Sequence, residues 1–283
     1  MKKILSILLL IFIFTPIFSV RAAEPTSPTE QSFGRVKILI VPGHDNKSWG
    51  AQYGNLKEAA MTLAVGTRMY NILKKDPRFE VRITRDSSGY TKEFADYFAN
   101  HQADVISFKE NAKKERQEDI LDGSFIEREN APHNNASPTG AIRLYGINKW
   151  ADENKMDAVI HIHFNDYPRA KSWTKGIHKG FVIYMPEGQM VNSKESKQLA
   201  ANIFTELRKK FITSTYEKEL GGLIPDQHLI ALGANDTLLS SVRSVLIEYG
   251  YIYSLGNSAA RQKAYNNMAS LTAAGIKNYF FGK

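Results

Sequence analysis

The stretch "RVKILIVPGHD" (Arg35–Asp45), a run of branched apolar residues closed by Pro42-Gly43, predicts a buried strand ending in a turn. "NLKEAAMTLAVGTRMYNILKK" (Asn55–Lys75) follows with apolar residues at helical spacing, and "FEVRITRD" (Phe79–Asp86) predicts a second strand. Strand, helix and strand in this order imply a βαβ unit, and hence a parallel sheet.

Past Asp86 the regular pattern fails. "AKKERQEDILDGSFIERENAPHNNASP" (Ala112–Pro138) is first charged and then rich in Asn and Pro, so residues 88–138 are expected to form an insertion carrying one or two surface helices. Regularity resumes with a helix over "GAIRLYGINKWADENK" and a strand over "DAVIHIHFND" (Asp157–Asp166). Next come a loop with Lys and Trp, the strand "KGFVIYMP", the helix "SKESKQLAANIFTELRKKF" and a Gly-rich loop. A short strand "HLIAL" (His228–Leu232), the strand "SVLIEYGYI" and a helix from about Ser258 to Tyr279 complete the pattern. The expected fold is a single α/β domain over residues 35–283, with a twisted, mostly parallel sheet flanked by helices on both faces.

The N-terminal residues "MKKILSILLLIFIFTPIFSVRAAEP" have a short basic end, an apolar stretch and a small-residue site at Ala22-Ala23. They predict a secretory signal peptide over residues 1–22, with a retained anchor as the competing reading. Residues 23–34 are rich in Pro, Ser and Thr and predict a disordered linker. The expected location is therefore outside the cytoplasm, periplasmic or extracellular and associated with the cell wall, with no stable membrane insertion once the leader is cut. With no Cys in 283 residues there is no disulfide framework, no cysteine nucleophile and no cysteine zinc ligand. The formal charge of +8, lowered by three if Lys2, Lys3 and Arg21 leave with the leader, suits a polyanionic surface such as a wall or an anionic membrane. Nucleic acid is not expected as a partner.

Open α/β sheets collect ligands at the carboxyl ends of their parallel strands. At those ends the apolar runs are broken by His44 in "VPGHD", His163 in "VIHIHFND" and Glu248 in "SVLIEYG", while Glu58 opens the first helix. Two His and one Glu form a zinc ligand set that leaves a position for water, and a hydrolytic site then needs a further carboxylate to move protons. Glu248 fits that second role. Each residue also has a plainer explanation: a His can be a hydrogen-bonded core residue, Glu58 can favour the positive end of its helix, and Glu248 can pair with Arg85 or Arg243.

In their order and spacing these segments resemble the zinc-dependent N-acetylmuramoyl-L-alanine amidases of the Amidase_3 kind. "VPGHD" is similar to that family's Pro-Gly-His strand end, "GAQYGNLKEAAMTLAVGTRMYNIL" to its Gly-containing loop and Lys-Glu helix start, and "EVRITRD" to its Thr-Arg strand end. "DAVIHIHFND" resembles its Ser-Ile-His-x-Asn strand, and "SVLIEYGYIYS" the segment with the catalytic Glu. "KGFVIYM" and "AYNNMASLTAAGIKNYF" resemble the strand and closing helix around them. The resemblance implies zinc as cofactor, His44, Glu58 and His163 as its ligands, and Glu248 as the catalytic carboxylate. It implies a hydrolase that cleaves the amide between N-acetylmuramic acid and L-alanine in peptidoglycan, with a possible protein regulator. The chain departs from the family pattern at Asp45, at His161 and over Tyr251 to Ser254.

Alternation along the strand sends His161 to the same face as His163, one pleat away, where it is expected to orient a ligand or fill the core rather than bind metal. The insertion supplies Glu110, Glu115, Glu118 and Glu127 as carboxylates for an autoinhibitory contact, although a solvated surface helix is the preferred reading. Two alternatives share the same residues: a catalytically degenerate amidase-like module that binds wall fragments or a partner, and a zinc peptidase acting on an ordinary peptide bond.

Overall fold

The computed structural model describes residues 34–129, 136–171 and 173–282, so the expected signal peptide and all of the linker except Gly34 lie outside the described residues. In strand β1 (Val36–Pro42), Ile38 and Ile40 enter one apolar cluster while Leu39 and Val41 enter another, and all four are buried. A strand that is apolar on both sides must be covered on both sides, which fixes a layered arrangement.

A two-stranded hairpin, β2 (Gln52–Tyr53) and β3 (Leu56–Lys57), leads into helix α1 (Glu58–Leu73). Met61, Val65, Met69 and Leu73 recur every fourth residue and form the buried stripe of α1. Strand β4 (Phe79–Ile83) then pairs in parallel with β1, closing the βαβ unit. After helices α2 (Lys92–Asn100), α3 (Gln102–Asp122) and α4 (Pro138–Glu153) come strand β5 (Ala158–Asn165), strand β6 (Val182–Pro186) and helix α5 (Ser193–Leu207). Strand β7 (Leu223–Asp226), strand β8 (Arg243–Tyr251) and helix α6 (Ser258–Phe281) complete the domain. Two helix starts are capped by side chains: Ser137 accepts from the Gly140 amide at 3.2 Å, with Pro138 in the first turn, and Asn257 accepts from the Ala260 amide at 3.0 Å.

The sheet order is β4-β1-β5-β8-β6-β7. The four strands from β4 to β8 are parallel, whereas β6 is antiparallel to β8 and β7 runs with β6. Apolar residues of α1, α5 and α6 cover one face, including Leu199 and Ile203 of α5 and Met268 and Ile276 of α6. The other face is covered by Phe94 of α2, Ile147 and Trp150 of α4, and a short segment around Ala231 and Leu232. The expected mostly parallel sheet with helices on both faces is thus what the chain forms.

One expected element is misplaced. "HLIAL" is not a strand: β7 lies just before it, and Ile230–Leu232 is a single 3-10 turn. Oδ1 of Asp226 accepts from the amides of His228 at 2.7 Å and Leu229 at 2.8 Å, turning the chain immediately after β7. The apolar run is real, but it packs beneath Val182, Tyr184 and Leu246 instead of pairing.

The segment between β4 and α4 contains α2 and α3. Phe94 anchors α2 in the core, whereas α3 contributes few buried residues and leans on α4. Arg116 pairs with Asp236 and sits 3.4 Å over the Phe125 ring. Glu110, Glu115, Glu118 and Glu127 are all exposed, and Glu110 pairs with its neighbour Lys109 at 2.8 Å. Among the described residues, no helix is long and apolar enough to cross a membrane.

Candidate metal centre

His44, Glu58 and His163 meet at the carboxyl ends of β1 and β5, where α1 begins. One ligand atom from each lies within 4.8 Å of the others, close enough to converge on one ion. Nε2 of His44 is 3.0 Å from Oε2 of Glu58, and Nδ1 of His163 is 3.0 Å from Oε1 of the same carboxylate. The two imidazoles stand edge to face, with centroids 5.1 Å apart at 75°. Glu58 also accepts from the amides of Ala51 at 2.9 Å and Phe164 at 3.1 Å, and the start of α1 offers it the positive end of the helix. Burial opposes its charge, but the hydrogen bonds from His163 and His44 prevail and hold Glu58 well below the usual carboxylate range. His163 is pushed down by its own burial, which favours the neutral imidazole that binds metal.

The backbone around this cluster is close-packed in a way that only small residues permit. A Cβ on Gly43 would lie 2.7 Å from Nδ1 of His163 and nearer still to Cε1 and Nε2 of the same ring. Gly50, at φ +71°, would place one 2.6 Å from Nε2 of His44. His44 itself adopts φ +63°, the left-handed conformation that turns its ring back after the strand ends.

Arg85 braces the turn from behind. Fully buried, it donates through Nε to the Pro42 carbonyl at 3.1 Å and through one terminal nitrogen to the Gly43 carbonyl at 3.0 Å, the Thr62 hydroxyl at 2.9 Å and the Ala59 carbonyl. Thr62 in turn donates to the Gly43 carbonyl at 2.8 Å. The sequence offered Arg85 as a partner for Glu248; its donors are instead spent on the loop that carries His44 and on the first turn of α1. Arg243, the other candidate, donates to the Tyr279 hydroxyl at 3.0 Å and the Ser241 carbonyl at 2.7 Å.

Glu248 lies on β8 directly opposite His163 on β5, so strand register places the carboxylate and the imidazole on one face. Its Oε2 is buried without a hydrogen-bond partner, and burial together with the nearby Glu58 and Glu219 carboxylates raises its pKa well above the usual range. Glu219 is a residue that pattern reading misses, because it stands in the polar stretch "STYEKEL" and looks like a surface charge. It is buried at the end of a 3-10 turn and accepts from Asn165 at 2.7 Å, Tyr184 at 2.8 Å, Tyr251 at 3.1 Å and Ser214. Only its hydrogen bonds to Asn165 of β5, Tyr184 of β6 and Tyr251 of β8 reveal its place.

His161 is entirely buried one pleat below His163, and neither of its ring nitrogens has a partner. Burial, with the neighbouring His163, pushes its pKa down to about 3. It makes no hydrogen bond to the cluster.

Among solved structures, the chain is similar to the CwlD amidase of Clostridioides difficile in complex with the GerS lipoprotein, at 17% identity, a TM-score of 0.55, 87% coverage of this chain and 98% of that one. It is also similar to the catalytic domain of CwlV, an N-acetylmuramoyl-L-alanine amidase from Bacillus (Paenibacillus) polymyxa var. colistinus, at 19% identity, a TM-score of 0.54, and 88% and 99% coverage. An N-acetylmuramyl-L-alanine amidase from Mycobacterium smegmatis matches at 16% identity, a TM-score of 0.54, and 88% and 98% coverage. These likenesses establish the shared fold. No curated protein matches the chain. The family model for N-acetylmuramoyl-L-alanine amidase matches residues 38–278, a span that runs from β1 into α6 and takes in every residue of the cluster, and the chain therefore belongs to that family.

Proposed function

We propose that the protein is an exported zinc amidase that cleaves the bond between N-acetylmuramic acid and L-alanine of the peptidoglycan stem. The observation that carries this reading is the convergence of His44, Glu58 and His163 beside a partnerless buried oxygen of Glu248. Two imidazoles and one carboxylate suit zinc, and three protein ligands leave a coordination position open. Zinc bound there supplies Lewis acidity toward the scissile carbonyl and lowers the pKa of water toward about 7.

The remaining work falls to the chain itself. Glu58 keeps its charge and holds both imidazoles in place, while Arg85 and Thr62 fix the loop that presents His44. Oε2 of Glu248 is free to take a proton from the attacking water and return it to the departing alanine nitrogen, as a general base and then a general acid. The charge of Glu58 nearby and the surrounding burial both make proton uptake by Glu248 favourable. The leader expected at the N-terminus, the absence of Cys and the basic charge agree with work in a cell wall.

The test is release of stem peptide from purified sacculi. A chelator abolishes release and zinc restores it. Glu248→Gln retains stoichiometric zinc while turnover falls by about 10²- to 10⁴-fold. Full activity in that variant refutes the assigned proton carrier, and cleavage within the peptide instead of at the lactyl amide refutes the substrate.

A further inference from the structure

Strands β5 and β8 do not advance in step past the candidate centre. His163 pairs with Glu248, but the next pair is Asn165 with Tyr251, so two steps along β5 answer three along β8. The extra residue makes a β-bulge in β8 directly after Glu248, and Gly250 within it adopts φ +143°, a conformation open to glycine. A bulge bends its strand and re-aims the side chains beside it. Oε2 of Glu248 has no hydrogen-bond partner to fix it, so its aim is left to this stretch of backbone.

One side chain ties the strands together where regular pairing resumes. Oε1 of Glu219 accepts from Nδ2 of Asn165 at 2.7 Å and from the Tyr184 hydroxyl at 2.8 Å. Its Oε2 accepts from the Tyr251 hydroxyl at 3.1 Å and from Ser214. Asn165 and Tyr251 are the two members of the first pair beyond the bulge, and opposite oxygens of one carboxylate hold them. Tyr184 brings in β6, which pairs with the other edge of β8 and sets Val182 against Glu248. All four donors are neutral, so Glu219 works here as a bridge of acceptors and not as a counter-ion. Burying a carboxylate is costly; an apolar side chain would fill the space at lower cost but could not join the strands.

We propose that Glu219 is a positioning residue: by bridging Asn165 and Tyr251 it locks the bulge in β8 and so keeps Glu248 aimed toward the His163 side of the centre. The consequence for turnover rests on the amidase reading, whereas the consequence for the direction of Glu248 does not. Misplacing a reacting group by about 1 Å can cost about 100-fold in rate. The metal ligands stand on β1, on α1 and on β5 before the irregular pair, so loss of the bridge acts on the rate constant and not on metal or substrate affinity.

The experiment compares the zinc-loaded wild type with Glu219→Ala, Glu219→Gln and Tyr251→Phe on a soluble N-acetylmuramoyl peptide, with melting temperatures to report folding. Glu219→Ala lowers kcat by about 10- to 100-fold, while KM and zinc affinity stay within about threefold of the wild type. Glu219→Gln recovers most of the loss, because its amide oxygen still accepts from Asn165 and Tyr184 and its nitrogen can donate to the two other hydroxyls. In a Glu248→Gln background, Glu219→Ala lowers kcat no further, since the group it positions is gone. An unchanged kcat in Glu219→Ala, an equal loss in substrate or zinc affinity, or a further loss in the Glu248→Gln background overturns the proposal. If Glu219→Ala does not fold, Tyr251→Phe, which cuts only the β8 arm, must show the same loss confined to kcat, and its absence overturns the proposal. If the wild type cuts nothing, the amidase reading fails separately, and crystal structures of the wild type and the folded variant decide. A lost bulge, or a Glu248 carboxylate moved by about 1 Å or more, supports the positioning role; an unmoved Glu248 overturns it.

Discussion

Gly43→Ala adds a single methyl group and tests the cluster with little other disturbance. Gly43 does not have a positive φ, so alanine carries no backbone strain there, and the whole effect comes from the His163 ring, whose Nδ1, Cε1 and Nε2 crowd the glycine. The new Cβ would be 2.7 Å from Nδ1 and closer to Cε1 and Nε2. Carbon contacts settle near 3.5–4.0 Å, so the ring must retreat by roughly 1 Å or β1 must move away from β5. Overpacking of this kind costs about 1–3 kcal/mol, which lowers the melting temperature of the metal-free protein by roughly 2–10 °C for a domain of this size. The effect on metal is larger in kind, because ligand distances must hold within about 0.2 Å. A ring displaced by 1 Å is expected to weaken zinc binding by about 100-fold or more in a competition titration with a chromophoric chelator. Gly188→Ala is the matched control, since a Cβ there meets nothing within 4 Å. Zinc affinity within threefold of the wild type, with an unchanged melting curve, refutes the close-packing argument.

Arg85→Met removes donors from the carbonyls of Pro42, Gly43 and Ala59, and hydrogen bonds to charged groups are worth about 1.5–3 kcal/mol each, so urea unfolding is expected to show a loss of about 3 kcal/mol or more. A loss under about 1 kcal/mol would mean that Thr62 alone supports the loop. His161→Leu replaces a buried imidazole without partners and is expected to stabilise the metal-free protein. Because the folded pKa of His161, about 3, lies below its ordinary value of 6.5, the wild type is penalised as pH falls from 6.5 toward 3, and the advantage of the variant should widen across that window. A constant difference between pH 8 and pH 4 would show that His161 does not titrate with unfolding.

Much of the fold was legible because strong local patterns coincided with tertiary demands. Val36 to Val41 had to be a strand covered on both faces, and Met61, Val65, Met69 and Leu73 had to be one stripe of a helix. His44, Glu58 and His163 were legible for the same reason, as polar residues where apolar elements end. What the sequence hid was long-range. The apolar content of "HLIAL" was visible, but the Asx turn at Asp226 that prevents it from pairing depends on side-chain direction. The antiparallel setting of β6 is a matter of connection geometry, which composition does not encode. Arg85 read as a possible counter-ion because charge suggests charge, whereas its real partners are backbone carbonyls. Glu219 left no local trace, since its burial comes from segments 32 to 54 residues away in the chain.

The Glu219 node has a consequence for how the rim breathes. One carboxylate ties Asn165, Tyr184, Tyr251 and Ser214 together, so three neighbouring strands cannot loosen one at a time without stranding a buried polar group. Local opening on that side becomes an all-or-nothing event, and amide protons there should exchange together and slowly. On the other side, α3 leans on α4 and is tied down by Arg116, which pairs with Asp236 and covers Phe125. The rim is therefore tied together where Glu248 sits and less so beyond α2, an asymmetry that hydrogen exchange would show as slow, concerted opening on one side and faster, piecemeal opening on the other.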